Sequence, residues 1–114
     1  MTMPDEIIYL ASPYSHPDPA VREARFEAAC KAAAGILREG GIVFSPIAHS
    51  HHIAKYGLPP ELGFWLRIDR AILAHCSAVH VLMLPGWRES KGVEAEIMEA
   101  ERLGIPVEYM EAEP

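Results

Sequence analysis

The chain of 114 residues is half hydrophobic, which suits one domain with a single core and argues against disorder. Its net charge of −6, without a basic stripe interleaved with aromatic residues, excludes a typical nucleic-acid-binding surface. No apolar run reaches transmembrane length, and the N-terminus lacks the pattern of a signal peptide. We therefore expect residues 1–114 to form a single cytoplasmic domain without a membrane partner. Cys30 and Cys76 form no CxxC pair and fit buried thiols in a reducing cytosol.

The first element is a short, nearly continuous apolar run, EIIYLAS, over Glu6–Ser12. Such a run predicts a strand that is buried on both faces, as in a parallel sheet. Asp18 and Pro19 then provide an N-cap and a proline in the first turn of a helix. This Ala-rich helix is expected to continue to Glu39, where two glycines stop it.

Two arginines, Arg22 and Arg25, are three residues apart in the first two turns of this helix, so they share one face. They are either solvated side chains or a positive patch beside a binding site.

The second strand is predicted at Gly41–Ser45 (GIVFS) and ends at Pro46. The following segment, Ile47–Pro60, is predicted to be irregular. It carries an HxHH cluster, which suggests a metal site, although no carboxylate or cysteine stands at a useful local spacing. Histidines in such a loop more often form hydrogen bonds with a ligand or face water, so we expect no metal at His49, His51 and His52.

A second long helix is predicted from Glu61 to about Cys76. Asp69 lies at the centre of its apolar face, at three- and four-residue spacings from Trp65, Leu66, Ile72 and Leu73. Two interpretations of this carboxylate are open. It is a buried aspartate whose partner is a backbone cap or an arginine, or it is a site group with a perturbed pKa.

The third strand, Ser77–Leu84, leads through a Pro-Gly loop to a third long helix. Ser90 can cap the start of this helix, and Gly104 followed by Pro106 is typical of a helix end. The free N–H groups of the Ser-Lys-Gly turn suit a phosphate or a carboxylate. A short fourth strand is predicted at Pro106–Met110.

Glu96 interrupts the apolar pattern of this third helix. It lies within the stripe formed by Val93, Ile97, Ala100 and Leu103. It is either at the edge of the stripe and in contact with water, or a buried carboxylate of the kind that often marks a site.

The element order β-α-β-loop-α-β-α-β predicts a three-layer, Rossmann- or flavodoxin-like α/β fold, with a parallel sheet of about four strands and helices on both faces. Ligands of such sheets bind beyond the carboxyl ends of the strands. We therefore expect the loops 12–15, 46–52 and 85–92 to converge, with Glu96 behind the third loop and Asp69 pointing in from its helix.

An ordered set of short motifs spans nearly the whole chain. They are Ile8–Tyr14 (IYLASPY), Phe44–Pro46 (FSP), Asp69 ahead of Cys76–Val79 (CSAV), Ser90–Glu96 (SKGVEAE) and Gly104–Pro106 (GIP). The spacing Ser-x-Gly-Val-x-x-Glu is the most specific of these elements. The set resembles the nucleoside 2-deoxyribosyltransferase superfamily, including its nucleotide N-glycoside hydrolase branch, and most closely a small bacterial and phage branch.

This resemblance implies an enzyme of nucleoside or nucleotide metabolism without a cofactor. Glu96 would be the nucleophile that attacks the anomeric carbon of the sugar, and Asp69 would assist the leaving base or position the sugar. Ser90 and nearby N–H groups would hold a 5′-phosphate, and Tyr14 would lie near the nucleophile or the base. Because a neighbouring subunit often completes the site in this superfamily, a homodimer or homotetramer is expected.

The residue types also favour these two roles on physical grounds. In retaining glycoside chemistry, one carboxylate attacks the anomeric carbon and a second group manages the proton of the leaving group. Burial in an apolar face raises the pKa of an acid, which suits proton donation by Asp69. A carboxylate near a helix N-terminus is favoured as the anion, which suits attack by Glu96.

Parts of the chain depart from the family pattern. The first loop lacks the Gly/Arg-rich phosphate motif of the hydrolase branch, so Arg22 or Arg25 would have to replace it. Trp87 is either an aromatic that stacks on the base or an ordinary loop or interface residue. The predicted substrate-binding residues are Ser12, Tyr14, Arg22, Arg25, His49, Trp87, Ser90 and Gly92.

Three functions remain open from the sequence. The first is cleavage or transfer at the N-glycosidic bond of a nucleoside or (deoxy)nucleoside 5′-monophosphate. The second is a non-catalytic nucleotide- or phosphosugar-binding module. The third is a metal-dependent hydrolase that uses His49, His51 and His52.

Overall fold

The computed structural model describes residues 6–112, so residues 1–5 and 113–114 of the expected single domain lie outside the described part. The strands are β1 (Ile7–Ala11), β2 (Ile42–Phe44), β3 (Ala78–Met83) and β4 (Val107–Glu111). The α-helices are α1 (Pro19–Arg38), α2 (Pro46–Ser50), α3 (Leu62–Leu73) and α4 (Lys91–Leu103). Two 3-10 turns cover Ile53–Lys55 and Trp87–Glu89.

The four strands form one parallel sheet in the order β2-β1-β3-β4. Leu10 of β1 is level with His80 of β3, and Val81 of β3 is level with Tyr109 of β4. Each pair of sequential strands is joined through a helix, as the alternating pattern predicts. The predicted α/β fold is therefore confirmed.

Both faces of the sheet are covered, which explains why the strands appear as continuous apolar runs. Tyr9 and Ala11 point to the face where α3 and α4 pack, and they share its core with Leu73, Val93 and Ala100, among others. Leu10 points to the opposite face, where Leu82 and Leu84 contact the small residues of α1, Ala28, Ala32 and Ala33. The result is a three-layer structure with α1 on one face and α3 and α4 on the other.

The predicted helix boundaries of α1 and α4 follow from local chemistry. The Asp18 carboxylate accepts a hydrogen bond from the N–H of Ala20, and Pro19 occupies the first turn of α1. The Ser90 hydroxyl accepts from the N–H of Val93 at the start of α4. Gly104, with a φ of 73°, ends α4 in the left-handed conformation that glycine tolerates best.

The segment Ile47–Pro60 is not irregular throughout, so this prediction was wrong. Pro46 begins α2 instead of only ending the strand, because proline also suits the first turn of a helix. The Ser45 hydroxyl caps α2 by accepting from the N–H of Ala48. A 3-10 turn follows at Ile53–Lys55. The segment after β2 packs against the N-terminal half of α1, where His51 contacts Phe26 and Glu23.

The end of α3 and the cysteines also differ slightly from the prediction. Helix α3 ends at Leu73, and Cys76 is a buried free thiol just beyond it. Cys30, in α1, is a free thiol that is only partly buried. No helix within residues 6–112 is long and apolar enough to cross a membrane.

Candidate active site

Glu96 is a buried carboxylate with a hydrogen-bond partner. Its side chain points from α4 toward β1, only 5% of the residue is exposed, and the Tyr9 hydroxyl donates a hydrogen bond to its Oε2 atom. Burial raises the pKa of Glu96, the hydrogen bond from Tyr9 lowers it, and the nearby Asp69 charge raises it; together they give a pKa of about 8. Of the two alternatives from the sequence, Glu96 is therefore the buried one.

Tyr9 is a site residue that the sequence analysis did not single out. It is fully buried, and its pKa is raised by burial and by the Glu96 and Asp69 charges, so the hydroxyl keeps its proton as a donor. A signal was present, because a tyrosine inside a buried apolar strand needs a partner for its hydroxyl. That partner is 87 residues away in the sequence, so only the fold identifies it.

Asp69 lies on α3, the helix that packs beside α4, and is half-buried. Burial raises the pKa of Asp69 to about 6. Within the described part of the chain, its carboxylate has neither a hydrogen bond nor an ion pair, so the alternative of an aspartate paired with a backbone cap or an arginine finds no support. Asp69 is close enough to raise the pKa of Glu96 and that of Tyr9. The structure thus brings the two predicted catalytic carboxyls together.

The predicted electrostatic difference between the two carboxyls was wrong. The α4 N-terminus was expected to favour Glu96 as the anion. Glu96 is the sixth residue of α4, in the second turn, where the influence of the helix dipole has faded. Burial dominates there, and Glu96 becomes a weaker acid than Asp69.

The predicted anion-binding turn lies at the start of α4. The Ser90 hydroxyl accepts from the N–H of Val93 and keeps its own hydrogen as a donor. A Cβ atom on Gly92 would lie 3.7 Å from Leu62 Cδ1, which places this turn next to the start of α3. The N-terminal ends of α3 and α4 therefore meet beside the carboxyl ends of the strands.

The loops after β1 and β2 are joined by a buried histidine. The Tyr14 hydroxyl is 2.7 Å from His51 Nδ1, and His51 Nε2 is 3.0 Å from the carboxylate of Glu23 on α1. The His51 ring also stacks on Phe26, with ring centroids 4.2 Å apart. Since the Glu23 carboxylate is an acceptor, the hydrogen bond between them places a hydrogen on Nε2 of His51.

Arg22 and Arg25 contact the same loops through backbone carbonyls. Arg22 donates to the carbonyl of His16 in the loop after β1. Arg25 donates to the carbonyls of Ser15 and Pro85. The loops after β1 and β3 are therefore adjacent, and together with the Tyr14–His51 bond this confirms that the three strand-end loops converge.

Ser12 lies directly after β1, and its buried side-chain hydroxyl has no hydrogen-bond partner among the described residues. Only 5% of the residue is exposed, and among residues 6–112 its Oγ is the one fully buried side-chain polar atom without a hydrogen-bond partner. Buried hydroxyls without a partner are rare and costly. A ligand group at the carboxyl end of β1 would satisfy this one.

The three histidines of the HxHH cluster separate in space. His49 is exposed, and its ring is 5.5 Å from that of Phe44, which is in turn 6.2 Å from Tyr9. His51 and His52 instead pack against Phe26 on α1. Within residues 6–112, no group of three or more His, Cys, Asp or Glu side chains is arranged to hold a metal ion. This geometry gives no support to a three-histidine metal site.

Trp87 packs between β4 and α4. Its ring lies 5.5 Å from that of Tyr109 on β4, and the Arg88 guanidinium lies 5.1 Å from its centre. It lines a cavity of about 180 Å³ together with Arg88, Val93, Glu94, Ile97 and Met98. The α4 residues that line this cavity lie on one side of the helix, at about 100° per residue. Glu96 is not among them and contacts Tyr9 of β1 instead.

The structure is thus a parallel α/β sheet with two acidic side chains, Glu96 and Asp69, on the neighbouring helices α4 and α3. The chain belongs to the family described as "Domain of unknown function (DUF1937)", which matches residues 6–112. A solved structure of a 2-deoxyribosyltransferase from the psychrotolerant bacterium Bacillus psychrosaccharolyticus is similar, with a TM-score of 0.68 and 22% sequence identity. The similarity covers 92% of this chain and 72% of that one, and it confirms the fold that the sequence resemblance implied. No curated protein matches the sequence significantly.

The raised pKa of Glu96 predicts that stability falls as the pH rises. Because the pKa in the folded state is about 8 and the ordinary value is 4.5, the neutral carboxyl stabilises the fold fully below pH 4.5. This contribution is lost as the pH rises through 8, and it amounts to at most about 5 kcal/mol at about 1.4 kcal/mol per pKa unit. The Tm of the wild type should therefore fall between about pH 5 and about pH 9, and Glu96→Gln should remove most of this fall.

Two further variants test the origin of the fall. Glu94→Gln, on the exposed side of the same helix, should keep the wild-type slope of Tm against pH. Tyr9→Phe should extend the fall to higher pH, because it removes the hydrogen bond that lowers the pKa of Glu96. Equal slopes in the wild type and Glu96→Gln would contradict the assignment of this titration to Glu96.

Proposed function

We propose that this protein cleaves or transfers at the N-glycosidic bond of a nucleoside or (deoxy)nucleoside 5′-monophosphate, with Glu96 as the nucleophile. The observation that carries the proposal is the pair of carboxyls, Glu96 and Asp69, on facing helices of a fold shared with a 2-deoxyribosyltransferase. Among residues 6–112, neither carboxyl forms an ion pair, and both have raised pKa values, which is typical of acid–base sites.

In the proposed first step, an oxygen of ionised Glu96 attacks the anomeric carbon while the bond from this carbon to the base nitrogen breaks. The proton held by Asp69 moves to the leaving base, which departs neutral. A glycosyl ester of Glu96 remains. In the second step, water attacks the same carbon and loses a proton to the Asp69 carboxylate, which gives hydrolysis. Alternatively, the N–H nitrogen of another base attacks and loses its proton to Asp69, which gives transfer. In both cases the bond from the anomeric carbon to the Glu96 oxygen breaks, and the Glu96 carboxylate is released.

Tyr9 has a positioning role in this scheme. Its hydroxyl donates to one oxygen of Glu96 and leaves the second oxygen available for attack. The same hydrogen bond favours the ionised form of Glu96 against the cost of burial. The surrounding apolar core holds both side chains in one arrangement, because Tyr9 is fully buried between β1 and the helices.

The remaining contacts of the substrate are proposed from the placement of the loops. Ser90 and the free N–H groups at the start of α4 would hold a 5′-phosphate, with Gly92 leaving space beside them. The unsatisfied hydroxyl of Ser12 would bond the sugar or the phosphate. Tyr14 and His49 would contact the base from the loops after β1 and β2.

The two carboxyls share their protons as a pair. Burial raises the pKa of both, with values of about 8 for Glu96 and about 6 for Asp69, so the pair holds about one proton near neutral pH. The reactive arrangement is the one in which this proton lies on Asp69. Because the two carboxyls are coupled, the pH profile of the wild type reports the pair and not either residue.

The direct experiment is incubation with a panel of ribo- and deoxyribonucleosides and their 5′-monophosphates, with and without an acceptor base, followed by analysis for released base. Glu96→Ala should lower kcat/KM by about a thousandfold or more, because it removes the nucleophile. Glu94→Gln, on the exposed face of α4, serves as the control and should retain wild-type activity. If Glu96→Ala remains as active as the wild type, the nucleophile is assigned incorrectly.

The pH dependence of Asp69→Asn assigns the roles of the two carboxyls. If Glu96 attacks as a carboxylate, the residual rate of this variant should rise with pH and level off near the pKa of Glu96, which is about 8 or slightly lower once the Asp69 charge is gone. If Glu96 is instead the proton donor, the residual rate should fall over the same range. The wild-type profile does not distinguish the two schemes, since both give a bell shape with limbs near 6 and 8.

The second candidate is a non-catalytic nucleotide- or phosphosugar-binding module. Its support is the unsatisfied Ser12 hydroxyl together with a first loop that lacks a phosphate motif. A rise in Tm with a nucleoside 5′-monophosphate, without any release of base, would favour this function over catalysis.

We also propose that the chain forms a homodimer or homotetramer in the cytoplasm, where its free cysteines stay reduced. Met98 and Tyr109 are 61% and 51% exposed beside Trp87 at the β4 edge, which supports self-association there. Light scattering of the purified protein should give a mass of two or four chains; a monomer at micromolar concentration would contradict this.

A further inference from the structure

Arg25 joins two loops that begin on neighbouring strands. Its Nη1 atom donates to the carbonyl of Ser15 at 2.9 Å, and its Nη2 atom donates to the carbonyl of Pro85 at 3.2 Å. Ser15 belongs to the loop after β1, and Pro85 belongs to the loop after β3. One side chain from the second turn of α1 therefore spans the carboxyl ends of both strands.

The residue after Pro85 is adapted to this contact. A Cβ atom on Gly86 would lie 2.8 Å from Arg25 Nη2, closer than real Cβ atoms come to a neighbour. Gly86 also has a φ of 89°, in the left-handed region that other residues avoid. The Arg25 guanidinium thus lies against the bare α-carbon of Gly86, where any side chain would displace it.

We infer that Arg25 is a positioning residue that clamps the loops after β1 and β3, and that it is not a ligand of a substrate phosphate. The inference rests on the proposed function for its activity test, because these loops border the proposed nucleotide site. The geometry suits arginine specifically, since its two terminal nitrogens form a rigid fork that reaches two carbonyls at once. A lysine would carry the same charge but has one nitrogen, so it cannot make both contacts in this geometry.

The clamp can be tested without any substrate. Arg25→Ala and Arg25→Lys should both speed amide hydrogen exchange at Trp87, Glu89 and Ser90 by about tenfold, because the turn after Pro85 loses its attachment to α1. Arg38→Ala, at the exposed end of the same helix, should leave this exchange unchanged. Unchanged exchange at these amides in both Arg25 variants would overturn the clamp, whatever the protein does to nucleotides.

Activity separates a clamp from a phosphate ligand. A clamp acts on the shape of the site, so both Arg25 variants should lower kcat/KM by a similar factor, about tenfold to a hundredfold, for a nucleoside and for its 5′-monophosphate. A loss confined to the monophosphate and largely restored by lysine would show a phosphate ligand and overturn the inference. If no panel member is a substrate, the proposed function fails and the exchange experiment alone decides.

Glycine substitutions provide a matched pair of variants. Gly86→Ala should reproduce the effects of Arg25→Ala on exchange and activity, because its Cβ displaces the guanidinium. Gly40→Ala carries the same backbone strain, with a φ of 91°, but its Cβ meets nothing within 4 Å, so it should leave loop exchange and activity unchanged. In the Arg25→Ala background, Gly86→Ala should have a smaller effect than in the wild type, because only the backbone strain at the left-handed φ remains; full additivity would contradict a direct contact.

Discussion

The hydrogen bond from Tyr9 to Glu96 is the interaction on which the site depends. It joins a central strand of the sheet to α4, and it gives a hydrogen bond to a carboxylate that the core has removed from water. Without this hydroxyl, the pKa of Glu96 would be higher still. Among residues 6–112, no cation forms an ion pair with Glu96 that would hold it as a permanent anion. A carboxylate in this condition can gain and lose a proton during a reaction, which a salt-bridged carboxylate does much less readily.

The local chemistry of the chain made much of the fold predictable. Asp18, Ser90 and Gly104 act over a few residues, so the starts of α1 and α4 and the end of α4 could be placed from the sequence alone. The helical period also identified Glu96 and Asp69, because each interrupts an apolar stripe. The fold could be predicted because strands buried on both faces have a distinct pattern.

The parts that sequence reasoning missed depend on distant contacts. Tyr9 could not be assigned a partner, because the hydroxyl and the carboxylate lie 87 residues apart. The Trp87 ring packs against Tyr109 on β4, which lies 22 residues further along the chain. The direction in which this ring points could therefore not be predicted from the sequence. The acidity of Glu96 was misjudged for a related reason: the helix dipole is visible in the sequence, but the depth of burial is not.

The strand order has a consequence for the shape of the site. From β1 the chain turns through α1 to β2 on one side, and from β3 it turns through α4 to β4 on the other. The two central strands are thus a topological switch point, where the departing loops diverge and leave a crevice at the sheet edge. Arg25 donates to one carbonyl on each side of this crevice, so a side chain from α1, and not only the backbone of the sheet, links its two walls.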